Sequence, residues 1–223
     1  MNLKNTLLTA AFGLIMSALA VQTAHAQVAP TQAAKSANIQ ILALPYVITA
    51  PGYYVLAHDL TLPSPGVAIS LFRSINGAVV VDLRGFTTNG QGDGYAGIVS
   101  GYNPGLANSP ITIKNGTLKN FGVGVPVGEQ TKITIAKIVF DAPSPPLDIY
   151  STTNVAFQSV NNSTIVNCTF NGGLFGIVDY GSSGGNSYNN NTFVKVLTPS
   201  YVEQSVLGTL TLKSCQFSPP PSN

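Results

Sequence analysis

Tryptophan is absent from this chain, and charge is scarce: ten lysines and arginines and eight aspartates and glutamates make up 8% of 223 residues. Nucleic-acid binding rests on dense Lys/Arg contacts to phosphate, which this balance does not supply. There are two histidines and two cysteines. No zinc-ligand cluster, phosphate-cradling loop or Ser-His-Asp set occurs. No helical 3.6-residue apolar pattern of useful length follows residue 50, and no apolar run after the first residues is long enough to span a membrane. Low charge with many apolar residues argues against disorder, which needs the opposite balance. Frequent glycine and asparagine point to many tight turns.

The first residues have the form of an export signal. Lys4 supplies the positive end, Leu7 to Val21 is the apolar stretch, and Ala24-His25-Ala26 fits a small-x-small cleavage site. The apolar stretch is about 15 residues long, short of the roughly 20 that a membrane span needs. Cleavage after Ala26 leaves 197 residues, enough for one domain with a sizeable core. The expected location is the periplasm, the cell surface or the extracellular space. His58 alone among the histidines survives cleavage.

A short motif recurs. Asn167-Cys168-Thr169-Phe170 returns as Asn190-Asn191-Thr192-Phe193 and as Ser214-Cys215-Gln216-Phe217, its phenylalanines 23 and 24 residues apart. Six short strands end in such a turn: Val79 to Leu83, Ile111 to Ile113, Ile133 to Ile135, Thr164 to Val166, a weak polar stretch near Tyr188, and Leu210 to Leu212. The apolar residues of Ile111-Thr112-Ile113 and Leu210-Thr211-Leu212 alternate at period two, as in a half-buried strand. The turns are Arg84-Gly85, Asn115-Gly116, Lys137-Ile138, Asn167-Cys168, Asn190-Asn191 and Ser214-Cys215. Asn and Gly tolerate the left-handed backbone of a sharp corner. An apolar residue follows each corner: Phe86, Leu118, Phe140, Phe170, Phe193 and Phe217. A stack from Phe140 to Phe217 is expected.

A second set of strands alternates with the first: Val67 to Leu71, Gly97 to Val99, Val123 to Val127, Leu147 to Tyr150, Gly176 to Tyr180, and Tyr201 to Leu207. Equivalent strands must then run parallel without the crossover helices of an α/β sheet. A parallel solenoid satisfies this, with an antiparallel sandwich as its rival. Loops are expected at Asn89 to Gly94, Tyr102 to Ser109, Pro143 to Pro146 and Ser182 to Gly185. Residues 39 to 62 look like an N-terminal cap, and Pro219-Pro220-Pro221 cannot extend a ladder.

The stretches Ala50-Pro51-Gly52-Tyr53-Tyr54-Val55-Leu56, Val81-Asp82-Leu83-Arg84-Gly85 and Ile113-Lys114-Asn115-Gly116-Thr117 resemble exported bacterial proteins with right-handed parallel β-helix repeats, of the pectin-lyase-like superfamily. The resemblance covers roughly residues 45 to 217. It implies an all-β, single-stranded right-handed parallel β-helix of about six to seven coils with an N-terminal cap. Residues 1–26 are then the signal, 27–44 a leader, 45–217 the β-helix and 218–223 a Pro-rich tail. Superfamily members include polysaccharide lyases, glycoside hydrolases, epimerases and adhesins, so the fold leaves the activity open.

In an exported protein, two cysteines suggest one disulfide. The repeat places Cys168 and Cys215 two rungs apart, about 9–10 Å at the rung spacing of a sheet. That is too far for a disulfide, so two free thiols are expected. Asn-x-Ser/Thr matches at Asn115, Asn161, Asn162, Asn167 and Asn190 are read as corner asparagines facing inward rather than as glycosylation sites.

Candidate chemistry is thin. Glycoside hydrolysis uses two flanking carboxylates. The carboxylates here are scattered, and the paired aspartates, Gly-His-Gly and Arg-x-Lys of polygalacturonase-like members are missing. Pectate-lyase-like members use an arginine and calcium-binding aspartates, which by resemblance points to Arg73, Arg84, Asp148 and Asp179. Calcium is implied only under that alternative. Arg84, Lys114, Lys137 and Lys213 lie at or beside one corner and could form a basic stripe for an anionic glycan. The leading expectation is an exported binding or surface-scaffold protein, associated with a polysaccharide or cell-surface glycan and without a clear catalytic site. The alternative is a small carbohydrate-active enzyme, such as a calcium-assisted lyase on acidic sugars.

Overall fold

The computed structural model describes residues 38–72, 75–100, 109–128, 132–142, 153–180, 185–202, 211–213 and 216–218. These residues form strands and turns with no helix. Every strand pairing among them is parallel. That excludes the antiparallel sandwich. The strands coil about an axis in a parallel β-solenoid-like fold.

Three columns of stacked strands follow from the registers. In the first, Tyr46 pairs with Ile69, Ile69 with Ile98, Val125 with Val155, Val155 with Ile177, and Ile177 with Ser200. In the second, Ile39, Tyr54, Val81, Ile113, Ile135, Ile165, Tyr188 and Leu212 follow one another. The third carries Leu60, Thr88, Leu118, Phe140, Phe170, Phe193 and Phe217. Residues 46–61 pair with the next strands like any other rung.

Local chemistry explains the corner between the second and third columns. Arg84, Asn115, Lys137, Asn167 and Asn190 all have φ between 52° and 58°. One left-handed residue turns the chain sharply enough to let a strand of three or four residues end and the next begin. Asparagine adopts this conformation readily, whereas Arg84 and Lys137 do so at about 1 kcal/mol each. Three residues past the corner, the side chain points into the coil. Phe140, Phe170 and Phe193 are buried there, their rings stacked at 4.9 and 4.7 Å within 8° of parallel. Phe217 continues the register, but its side chain lies outside the described residues.

The structure differs from the sequence expectation at several places. Phe86 does not take the inward position; Thr88 does, in register with Leu60 and Leu118. The reason is the corner itself: Arg84 and Gly85 are both left-handed, which lengthens this turn by one residue. Thr88 is fully buried and its hydroxyl finds no hydrogen-bond partner among the described residues, an unfavourable arrangement for a buried donor. Leu147 to Tyr150 lies outside the described residues, and the first-column strand of that rung is Thr153–Gln158. Its Val155, not Ile149, stands opposite Ile177. Thr198–Val202 is a first-column strand that shares Tyr201 and Val202 with the expected Tyr201 to Leu207, whose remainder lies outside the described residues. The loop expected at Asn89 to Gly94 is instead part of the strand Thr87–Ser100, with a register shift between Asn89 and Gly94.

The first column is apolar on both of its sides. Ile98, Val155 and Ile177 belong to the main core, while the alternate residues Val99, Ala156 and Val178 are also buried. This is the near-continuous apolar run of a parallel strand covered on two faces. The outward rows of the other columns differ: Thr112, Thr134, Thr164 and Ser187 in the second, and Thr117, Thr169 and Thr192 in the third, are all half-buried. Among the described residues, the outward rows of the two columns flanking the asparagine-rich corner are therefore more open to solvent than those of the first.

Candidate functional site

Two polar clusters and one exposed ridge are candidates. The first cluster is inside. Asp179 and Asn186 are 4% and 3% exposed, and Tyr188 is fully buried. Tyr188 Oη donates to Asp179 Oδ2 at 2.6 Å, and Asn186 Nδ2 donates to the same oxygen at 2.9 Å. Asn186 also donates to the Val160 carbonyl and accepts from the Ser163 N–H. Ser163 Oγ in turn accepts from the Ile133 N–H. Burial, followed by the Asp179 charge, pushes the Tyr188 hydroxyl well above its ordinary pKa, so it stays protonated and donating. The network ties strands of three successive rungs together. A carboxylate enclosed in this way cannot reach a polymer outside the coil.

The second cluster lies just beneath the surface of the N-terminal rungs, with Asp82 buried and Tyr53, Lys114 and Asn115 half-buried. Asp82 Oδ2 accepts from Tyr53 Oη at 2.5 Å, and its Oδ1 accepts from the Arg84 backbone N–H at 3.0 Å and from Asn115 Nδ2 at 3.1 Å. Lys114 Nζ lies 3.7 Å from Oδ2 and 5.1 Å from the centroid of the Tyr53 ring. Burial acts to raise the Asp82 pKa. The Tyr53 hydroxyl, the Arg84 N–H, the Asn115 amide and the Lys114 charge outweigh it, and the carboxyl is held below the usual carboxylate range. Such a carboxylate is a weak base, and its lone pairs are already engaged. Tyr53 and Asp82 did not stand out as site residues in the sequence. They meet because parallel stacking puts Tyr53 opposite Val80 and Asp82 opposite Lys114. Asp82 inside Val-Asp-Leu-Arg-Gly, followed one rung later by Lys114-Asn115, was the available signal.

The ridge is the corner row: Arg84, Asn115, Lys137, Asn167 and Asn190, one residue per rung. Asn115 is half-buried and the other four are exposed. The sequon asparagines of this corner thus face outward, not inward as expected; left-handed φ turns the side chain away from the coil. The inward asparagine is the next residue along, Asn191. It is fully buried, accepts from the Cys168 N–H at 2.9 Å and donates to the Ile165 carbonyl at 3.0 Å. This is rung-to-rung amide bonding within the coil.

Of the catalytic candidates, Arg84 is on the ridge, Asp179 is in the interior, and Arg73 and Asp148 lie outside the described residues. The basic stripe is broken up. Arg84 and Lys137 occupy the corner row, whereas Lys114 stands one residue before it, opposite Asp82 and Ala136. The backbone of Lys213 pairs with Asn189 in the row of Lys114, and its side chain lies outside the described residues. Among the described residues, no group of three or more His, Cys, Asp or Glu side chains is placed to hold a metal ion. No helix among them is long and apolar enough to cross a membrane.

Cys168 is a free thiol, 1% exposed, with Sγ 3.5 Å from the Val166 carbonyl oxygen. Burial pushes its pKa up to about 11. Cys215 lies outside the described residues. In the folded chain Cys168 is expected to resist a thiol-specific reagent for as long as the coil is closed. After unfolding without reductant, two thiols per chain should react; none would mean a disulfide.

No protein-family model matches this chain, and neither a curated protein nor a solved structure matches it significantly.

Proposed function

We propose that this chain is an exported right-handed β-helix of six to seven coils, with residues 39 to 62 as its N-terminal cap and a likeness to the pectin-lyase superfamily. In this reading it binds a glycan through the outer corner ridge and serves as a surface or scaffold module. One observation carries the reading: five successive rungs present Arg84, Asn115, Lys137, Asn167 and Asn190 at the same corner in the same left-handed conformation. Amide N–H groups and cations donate to the hydroxyls and carboxylates of a polysaccharide, and amide oxygens accept from its hydroxyls. Half-buried threonines on both flanks add hydroxyls within reach of a polymer lying along the row. Among the described residues binding is favoured over lyase chemistry, because Asp179 is enclosed in the coil and the oxygens of Asp82 are engaged, so neither is open to a calcium ion that a substrate could reach.

The test is binding of the purified chain to a panel of soluble acidic and neutral polysaccharides by affinity electrophoresis. The variant Arg84→Asn/Lys137→Asn suits the left-handed corner, since the other three rungs already carry asparagine. It is expected to weaken binding to acidic members about tenfold while leaving the fold intact, two solvent-exposed charge contacts being lost. Added salt should weaken the parent protein in the same direction. Unchanged binding of the variant removes the ridge as the site. Growth of ultraviolet absorbance from unsaturated sugars on any uronate polymer would establish the lyase alternative instead.

A further inference from the structure

We infer that the ridge selects a linear glycan whose negative charges recur at every second sugar, over one charged at every sugar; this rests on the glycan-binding reading above. The argument is one of register. Arg84 and Lys137 share the corner row but are not adjacent, because Asn115 occupies the rung between them. Two rung steps of a parallel sheet are roughly 10 Å, about the length of an extended disaccharide. Both cations are exposed, and neither is ion-paired among the described residues. A polymer running along the ridge with alternating acidic and neutral sugars therefore places one carboxylate at each cation.

The intermediate rung is closed to a further carboxylate. The Asn115 amide donates to Asp82 Oδ1, and the Lys114 ammonium is paired with Asp82 Oδ2. No cationic charge is left over on that rung, and the Asp82 carboxylate stands beside it. A sugar acid there gives up hydration without gaining a cation, whereas a neutral sugar gives up less. Beyond Lys137 the row continues as Asn167 and Asn190, which suit neutral residues. Lys119, in the third column past the corner, is held by Asp141 at 3.4 Å. The pattern along the ridge is cation, amide, cation, amide, amide.

The experiment compares tetrasaccharides by isothermal titration: a hyaluronan fragment with alternating uronate, an oligogalacturonate with a carboxylate on every sugar, and a neutral cello-oligosaccharide. The expected result is that the alternating fragment binds about fivefold more tightly than the fully charged one, and that Arg84→Asn or Lys137→Asn alone removes that preference. Asp82→Asn should also narrow the preference by improving the fully charged ligand. If the alternating and fully charged ligands bind equally, or the fully charged one binds better, the two-rung selection is wrong while the glycan-binding reading stands. If none of the three binds, and the polysaccharide panel is negative too, the functional reading itself falls and takes this inference with it.

Discussion

Gly176→Ala is expected to lower the stability of the fold by about 3 kcal/mol, the upper range for forcing atoms into a packed core. A Cβ built at Gly176 would lie 2.5 Å from the Pro199 carbonyl oxygen and 2.6 Å from the Phe193 ring. Neither can withdraw. The carbonyl belongs to the next rung of the ladder, and Phe193 is held by the stacked Phe170 ring at 4.7 Å. The same row repeats the demand. A Cβ at Gly97 would meet the Gly124 carbonyl oxygen, and one at Gly124 would meet the Asn154 carbonyl oxygen and the Phe140 ring. Asn154 interrupts the glycine row and is itself hydrogen-bonded to the carbonyls of Gly172 and Phe175. Urea unfolding measures the effect. Gly52→Ala is the control, because its nearest neighbour is the movable end of the Ile39 side chain at 3.2 Å. Equal stability of Gly176→Ala and Gly52→Ala would show that the first and third columns do not press together as described.

Asp179→Leu is expected to cost a comparable amount, about 3 kcal/mol, for a different reason. It leaves the Tyr188 hydroxyl and the Asn186 amide without their shared acceptor, and an unsatisfied buried donor loses roughly 1–3 kcal/mol. Pairing it with Tyr188→Phe removes one stranded donor, so the double variant should be less destabilised than the sum of the two single ones. Asp179→Asn keeps the shape and one acceptor oxygen, and should fall between the parent and Asp179→Leu. Additive single effects in the double-mutant cycle would mean that Tyr188 and Asp179 are not coupled.

The sequence revealed much of the fold and little of the site, and particular residues show why. The turn-and-phenylalanine motif was legible at Asn167–Phe170 and Asn190–Phe193 because both of its requirements are local. A left-handed corner favours asparagine, and the third residue beyond it points inward by backbone geometry alone. The same rule failed at Arg84-Gly85-Phe86, where a second left-handed residue moved the inward position to Thr88. Apolar composition also did not mark Thr153–Gln158 as the segment that joins the first column. The glycines at 97, 124 and 176 each precede an Ile or Val in a first-column strand, a visible repeat whose meaning depended on an aromatic ring of another column.

Site residues were harder still, because their roles come from contacts between distant positions. Asp179, two residues past Ile177, shares its inward face, but alternation could not say that Tyr188 and Asn186 would enclose it. Tyr53, Asp82 and Asn115 come from three rungs and converge only through stacking.

By itself, then, the chain determined that equivalent strands run parallel, that the corner between the second and third columns recurs, and that aromatic rings pile up behind it. Period-two alternation and the left-handed preference of asparagine act within a few residues, and a repeat multiplies them. The tertiary structure alone decided that the corner asparagines face solvent, that Asn191 faces inward, that Asp179 is enclosed, and that Asp82 draws Lys114 away from the basic row. Each of those outcomes depends on which residue lies one rung above or below, and that partner is set by the length of every turn between them.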